Sequence, residues 1–198
     1  MSEAIRTFVA VSISEGARRQ IADLLVTLRR QPGPAVRWVR PELVHLTLAF
    51  LGEVPQEFLA AAIARLSGVG RQHSSITAQL KGLGAFPSPS RARVVWIGTE
   101  RGKNEVCALQ ADVVKALRSV GYQPERRPFS PHLTIGRLRM PDDVSKAVTV
   151  HFESEPFAID RVILFRSVLG PAGPVYSVLA DFPFAAQTAV KPQRFCHT

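Results

Sequence analysis

An apolar run at 8–13 reads as a strand, and beyond it the spacing changes: Ala17, Ile21, Leu24, Leu25 and Leu28 recur at the interval of a helix buried on one face. Ser12 and Glu15 have capping-box spacing ahead of that helix, and the Arg29-Arg30 pair suits its C-terminus. Pro32-Gly33-Pro34 stops it. A short strand at 36–39 follows, then a second strand within 44–51 that Gly52 is expected to end. Phe58, Leu59, Ala62, Ile63 and Leu66 mark a second amphipathic helix. Strands are expected at 75–86 and 92–99, joined by the turn-rich segment 87–91. A third helix is expected at 103–120, with Val106, Leu109, Val113, Ala116, Leu117 and Val120 on its buried stripe and Gly121 just past its end. A strand after Pro131, a short helix at 142–147, and strands near 157–169 and 175–179 complete the pattern. Residues 187–198 carry no period.

Within this pattern one four-residue unit occurs twice, as His45-Leu46-Thr47-Leu48 and His132-Leu133-Thr134-Ile135. Polar and apolar residues alternate in both copies, so each His and Thr share one face of a half-buried strand while the aliphatic residues enter the core. At about 3.3 Å per residue, the imidazole and hydroxyl of one copy lie about 6–7 Å apart. Two such strands face to face surround one small space with two imidazoles and two hydroxyls. Histidine, with a reference pKa of about 6.5, can take or give a proton near neutrality, and hydroxyls donate to anionic oxygens. That is equipment for acid–base chemistry on a phosphate. Arg137, close to the second copy, supplies a guanidinium for non-bridging oxygens. A single His-x-Thr would mean little; the repetition is what carries weight.

Other chemistries lack their patterns. No Gly-rich phosphate loop follows a strand, no H-E-x-x-H or paired-cysteine spacing suggests zinc, and no G-x-S-x-G elbow is present. His73, His151 and His197 lie in polar or terminal contexts and read as solvated. The order of strands and helices, with a repeat spacing far too long for a solenoid, fits an α+β protein whose two related lobes carry antiparallel sheets lining a cleft.

Composition adds bounds. The chain of 198 residues suits one large domain or two small lobes, and no apolar run is long enough to span a bilayer. The segment 1–6 lacks the pattern of a secretory signal, and Cys107 and Cys196 form no disulfide framework, so a cytoplasmic location is expected. The net charge of +9 favours a polyanionic partner without identifying one. Arg37, Arg40, Arg126, Arg127 and Arg137 all flank the repeats, where they could rim a cleft for RNA or simply be solvated. Trp38 and Phe129 could stack a base, although local packing is the simpler role for each.

The two motif blocks in their wider setting, 45–53 and 131–137, resemble the two-histidine phosphoesterase superfamily, specifically the RNA 2′,3′-cyclic phosphodiesterases also called 2′-5′ RNA ligase-like proteins. Segments 6–11, 93–98 and 173–176 are also similar to that family, and the resemblance spans about 5–184. It implies an α+β fold of two pseudo-symmetric lobes, each an antiparallel sheet with helices on its outer side, around a central cleft. Residues 1–184 then form a single bilobal domain, and 185–198 a flexible C-terminal tail. The implied activity is metal-independent hydrolysis of an RNA-terminal 2′,3′-cyclic phosphate to a 2′-phosphomonoester, with no cofactor. On this chain His45 would be the proton donor, His132 the proton acceptor, and Thr47, Thr134 and Arg137 the phosphate-binding residues. The implied partner is RNA or an oligonucleotide with a 2′,3′-cyclic phosphate end, with no membrane, no obligate protein partner and a monomeric state. Hydrolysis or ligation of 2′-5′ linked or small cyclic nucleotides, and non-catalytic RNA binding, are the competing readings.

Overall fold

Residues 4–171 and 173–185 are described by the computed structural model. Strand β1 (Ile5–Val11) leads into helix α1 (Glu15–Arg30), which buries Ala17, Ile21, Leu24, Leu25 and Leu28 as its spacing predicts. Its N-cap is Ser14 rather than Ser12: the Ser14 hydroxyl accepts the Ala17 N–H at 3.1 Å. Ile13 is buried in the core and keeps the chain extended past Ser12, so the helix starts later than the capping-box spacing suggests. After β2 (Arg37–Trp38) comes β3 (Leu46–Val54), which does not end at Gly52; that glycine takes φ +73° and the strand continues two residues further. Helix α2 (Gln56–Gln72) follows.

The expected strand at 75–86 is two strands, β4 (Ile76–Ala78) and β5 (Leu80–Phe86), in different sheets. Next come β6 (Ala92–Thr99), α3 (Lys103–Arg118), β7 (His132–Asp142) and the single-turn α4 (Ser145–Val148). Because β7 reaches Asp142, α4 begins later than the expected 142. The Gly121 N–H reaches Arg118 O and the Tyr122 N–H reaches Leu117 O, with Gly121 at φ +99°: a Schellman closure of α3. Strands β8 (Phe157–Ile159), β9 (Arg161–Gly170) and β10 (Gly173–Pro183) finish the described chain. The Ala185 N–H is held by His73 O at 2.9 Å, and the remaining tail expected at 186–198 lies outside the described residues.

The strands form one eight-stranded antiparallel sheet, β10-β9-β1-β3-β7-β6-β5, with β2 also on β7, and a small β4-β8 sheet. An internal repeat is visible in it. The order β1-α1-β3-α2-β4-β5 recurs as β6-α3-β7-α4-β8-β9, and each half lends its last strand to the other: β9 pairs with β1 and β5 with β6. The pseudo-twofold relation crosses the β4–β8 pair and the β3–β7 junction. At that junction one residue pair, Leu46 and Leu133, joins the two lobe sheets edge to edge. Val9, Val11, Leu46, Leu48, Val95, Ile97, Leu133 and Ile135 share a single core with the buried residues of α1, α2 and α3. The helices therefore cover this face, and the motif histidines and threonines stand on the other.

Candidate active site

Antiparallel counting from Leu46–Leu133 sets His45 opposite Thr134 and Thr47 opposite His132. The two copies thus interlock, each imidazole beside the other copy's hydroxyl. All four are partly exposed, and neither threonine hydroxyl is committed to a hydrogen bond among the described residues.

The histidines are held in the same way. His45 Nδ1 lies 2.7 Å from Leu43 O, and His132 Nδ1 lies 2.7 Å from Ser130 O. A carbonyl only accepts, so each Nδ1 carries a proton and each Nε2 is left to exchange one with a ligand. Arg18 of α1 supports the first arrangement by donating to Pro41 O at 3.1 Å and Glu42 O at 2.8 Å, in the turn that supplies Leu43 O. Nothing local in the sequence marks Arg18, because its partners lie 23 and 24 residues away.

A matching irregularity follows each threonine. Val9 pairs with Ala49 but Ala10 with Thr47, which leaves Leu48 as an extra residue; Val95 pairs with Gly136 but Trp96 with Thr134, which leaves Ile135 as one. These bulges reverse the alternation beyond them. On a regular strand Arg137, five positions after His132, would face the helices. With the bulge it pairs with Val94, two residues from Trp96 and on the same face, so Arg137 shares the face of Thr134. Its charge reaches His45 and Tyr176 of the other lobe. His45, His132, Thr47, Thr134 and Arg137 are all brought to this one face. Arg37 stands opposite Arg137, while Arg40, Arg126 and Arg127 are exposed.

The surroundings of the two imidazoles differ. His45 stacks on Phe8 at 4.7 Å and meets Tyr176 edge-on at 5.3 Å, with Phe50, which is 44% exposed, stacked on the same Phe8. His132 meets Phe86 at 5.1 Å and Trp96 at 6.2 Å. Trp96 lies flat on Gly84, where a Cβ would collide with the indole ring. Desolvation lowers the His45 pKa below its ordinary value; its bond to Leu43 O partly offsets this and the Arg137 charge adds to it. Burial raises the Tyr176 phenol, partly opposed by Arg137 and Arg6. The aromatic setting is what the sequence did not announce: Phe8, Phe165 and Tyr176 come from three strands and lie near His45 only in the folded sheet. Trp38 and Phe129 pack against the core, as local packing requires.

Among the described residues no group of three His, Cys, Asp or Glu side chains converges as a metal site would need, and no helix is long and apolar enough to cross a membrane. Surface grooves of about 520 and 480 Å³ lie away from His45 and His132, beside the α1 C-terminus and beside His73.

The model of a family described as "LigT like Phosphoesterase" matches residues 11–96 and again 97–176. A protein of Archaeoglobus fulgidus named RNA 2′,3′-cyclic phosphodiesterase is 37% identical over 181 residues, covering 90% of this chain and 99% of that one. A Thermotoga maritima protein of the same name is 32% identical, covering 91% and 96%. The crystal structure of E. coli LigT complexed with 3′-AMP superimposes with a TM-score of 0.75 at 28% identity, over 92% of this chain and 99% of that one.

Proposed function

From the premise that the chain belongs to the LigT-like phosphoesterase family, we propose that it hydrolyses the 2′,3′-cyclic phosphate at an RNA 3′ end to a 2′-phosphomonoester. The observation that carries this reading is the matched pair of imidazoles, each with Nδ1 spent on a carbonyl 2.7 Å away and Nε2 left over. A binding module needs no such pair; a hydrolase needs one proton acceptor and one proton donor.

In the reaction His132 Nε2 takes a proton as water oxygen bonds to phosphorus. The bond from phosphorus to the 3′ oxygen breaks, and His45 Nε2–H protonates that oxygen. The products are a 2′-phosphate and a free 3′-hydroxyl; solvent then returns a proton to His45 and removes one from His132. Thr47, Thr134 and Arg137 hold the non-bridging oxygens, whose charge grows in the transition state. The lowered proton affinity of His45 makes it a stronger donor once charged, and the bound phosphate anion supplies the field that charges it. Phe50, exposed and stacked on the same Phe8 ring as His45, offers a ring for the terminal base. The relative solved with 3′-AMP supports a ribonucleotide ligand.

The division of roles is tested by a substrate with a much better leaving group at the 3′ oxygen. It should rescue His45→Ala and leave His132→Ala inactive; rescue of His132→Ala instead would reverse the roles.

A further inference from the structure

Arg37 and Arg137 are direct partners across the β2–β7 pairing. Side chains of directly opposed residues leave the sheet on the same face, with Cβ atoms about 4.5–5.5 Å apart. Since Arg137 lies on the face of Thr134, Arg37 does too. Like charges placed directly opposite destabilise a strand pair, and here nothing relieves them. Both guanidinium groups are exposed, and neither takes part in an ion pair or a side-chain hydrogen bond among the described residues, where the ion pairs involve Arg18, His73, Lys81 and Arg161. The position is also built deliberately. The β3–β7 pairing stops after Leu46–Leu133, and the chain at 37–39 fills the vacated edge, with the Val39 N–H on Ile135 O at 2.8 Å. Trp38 packs over Gly136, where a Cβ would come within 2.9 Å of the indole, and so anchors the residue next to Arg37.

An uncompensated cation pair on a fixed strand calls for an anion larger than one phosphate. Arg137 faces the cyclic phosphate site; Arg37 stands across from it on β2, along the β7 edge that β3 leaves. We propose that Arg37 binds the next phosphate of the chain, the 5′-phosphate of the terminal nucleotide, so that the site selects an RNA end over a free nucleoside 2′,3′-cyclic phosphate. This rests on the proposed activity and names its substrate class. Two phosphates one ribose apart match two guanidinium groups whose stems start side by side and are free to diverge.

The test compares Arg37→Ala with the unaltered protein on two substrates, adenosine 2′,3′-cyclic phosphate and a dinucleotide with the same cyclic end. Arg37→Ala should raise KM for the dinucleotide about tenfold more than for the mononucleotide, the scale of one charge-assisted contact. It should also flatten the dependence of log KM for a longer oligonucleotide on log salt by about 0.7, as loss of one single-strand phosphate contact requires. Arg37→Lys should restore the salt slope more than the KM, because lysine keeps the charge without the fork. Equal losses on both substrates would mean that Arg37 serves the cyclic phosphate itself, and no loss would leave it merely solvated; either overturns the proposal. So would the same effect from Arg65→Ala on the exposed side of α2, which would reduce it to net charge. A protein that cleaves neither substrate would contradict the hydrolase reading. The Arg37 proposal would then stand or fall on whether Arg37→Ala weakens binding of a dinucleotide 2′-phosphate more than of adenosine 2′-phosphate.

Discussion

Leu46 pairs with Leu133 where the two halves of the sheet meet, and this one register pair puts each motif histidine beside the other motif's threonine. Both leucines are buried, at 2% and 0% exposure. Leu133→Ala should cost about 2–5 kcal/mol of stability, the usual range for a buried leucine. It should also lower kcat more than Leu117→Ala, an equally buried leucine on α3 away from the junction. Denaturant unfolding paired with turnover of the folded fraction checks this; equal kcat in the two variants would deny the junction its role.

The acid and base can be told apart by the pH dependence left in single variants. In His132→Ala the surviving His45 must be protonated to act, so residual kcat/KM should fall as pH rises, through a midpoint below the ordinary histidine value because desolvation and Arg137 lower the His45 pKa in the free protein. In His45→Ala the surviving His132 must be neutral, so residual activity should rise with pH. The opposite slopes would exchange their roles.

Much of this was legible in the chain. The α1 stripe is a local property of period 3.6, and all five predicted positions are buried. The repeated tetrapeptide showed the site because period 2 decides which side chains share a face. The bulges at Leu48 and Ile135 were not legible, because an extra residue in one strand shows only against its partner. Arg137 reaches the site because of that bulge. The exchange of β5 and β9 between halves escaped for the same reason: pairing at long range leaves no mark in a window of ten residues. The splitting of 75–86 into β4 and β5 follows from it, since the two pieces serve different sheets.

Arg137 should tune His45 as well as hold phosphate. Its charge lowers the His45 pKa, so Arg137→Met should raise it, and the imidazole signal in an NMR titration should move to higher pH. Activity should fall at the same time, and Arg137→Lys should restore the titration better than the activity, because lysine supplies a charge without bidentate donors. An unmoved titration would separate the two residues.

Arg18 touches no substrate in this account; it fixes the turn that receives His45 Nδ1. Arg18→Met keeps the stem and removes both donors. Loosening the imidazole should lower kcat about tenfold, within the penalty known for small misplacements of catalytic groups, with KM nearly constant. A change confined to KM would show that Arg18 acts on binding instead.

The most direct measurement is the fate of a defined RNA oligonucleotide ending in a 2′,3′-cyclic phosphate, incubated with the protein in excess EDTA and resolved by chromatography against 2′- and 3′-phosphate standards. Conversion to the 2′-phosphate should be complete with chelator present, and slowed at least about a hundredfold by either His45→Ala or His132→Ala. A 3′-phosphate product, an activity that EDTA abolishes and a divalent ion restores, or near-normal turnover in either histidine variant would contradict it.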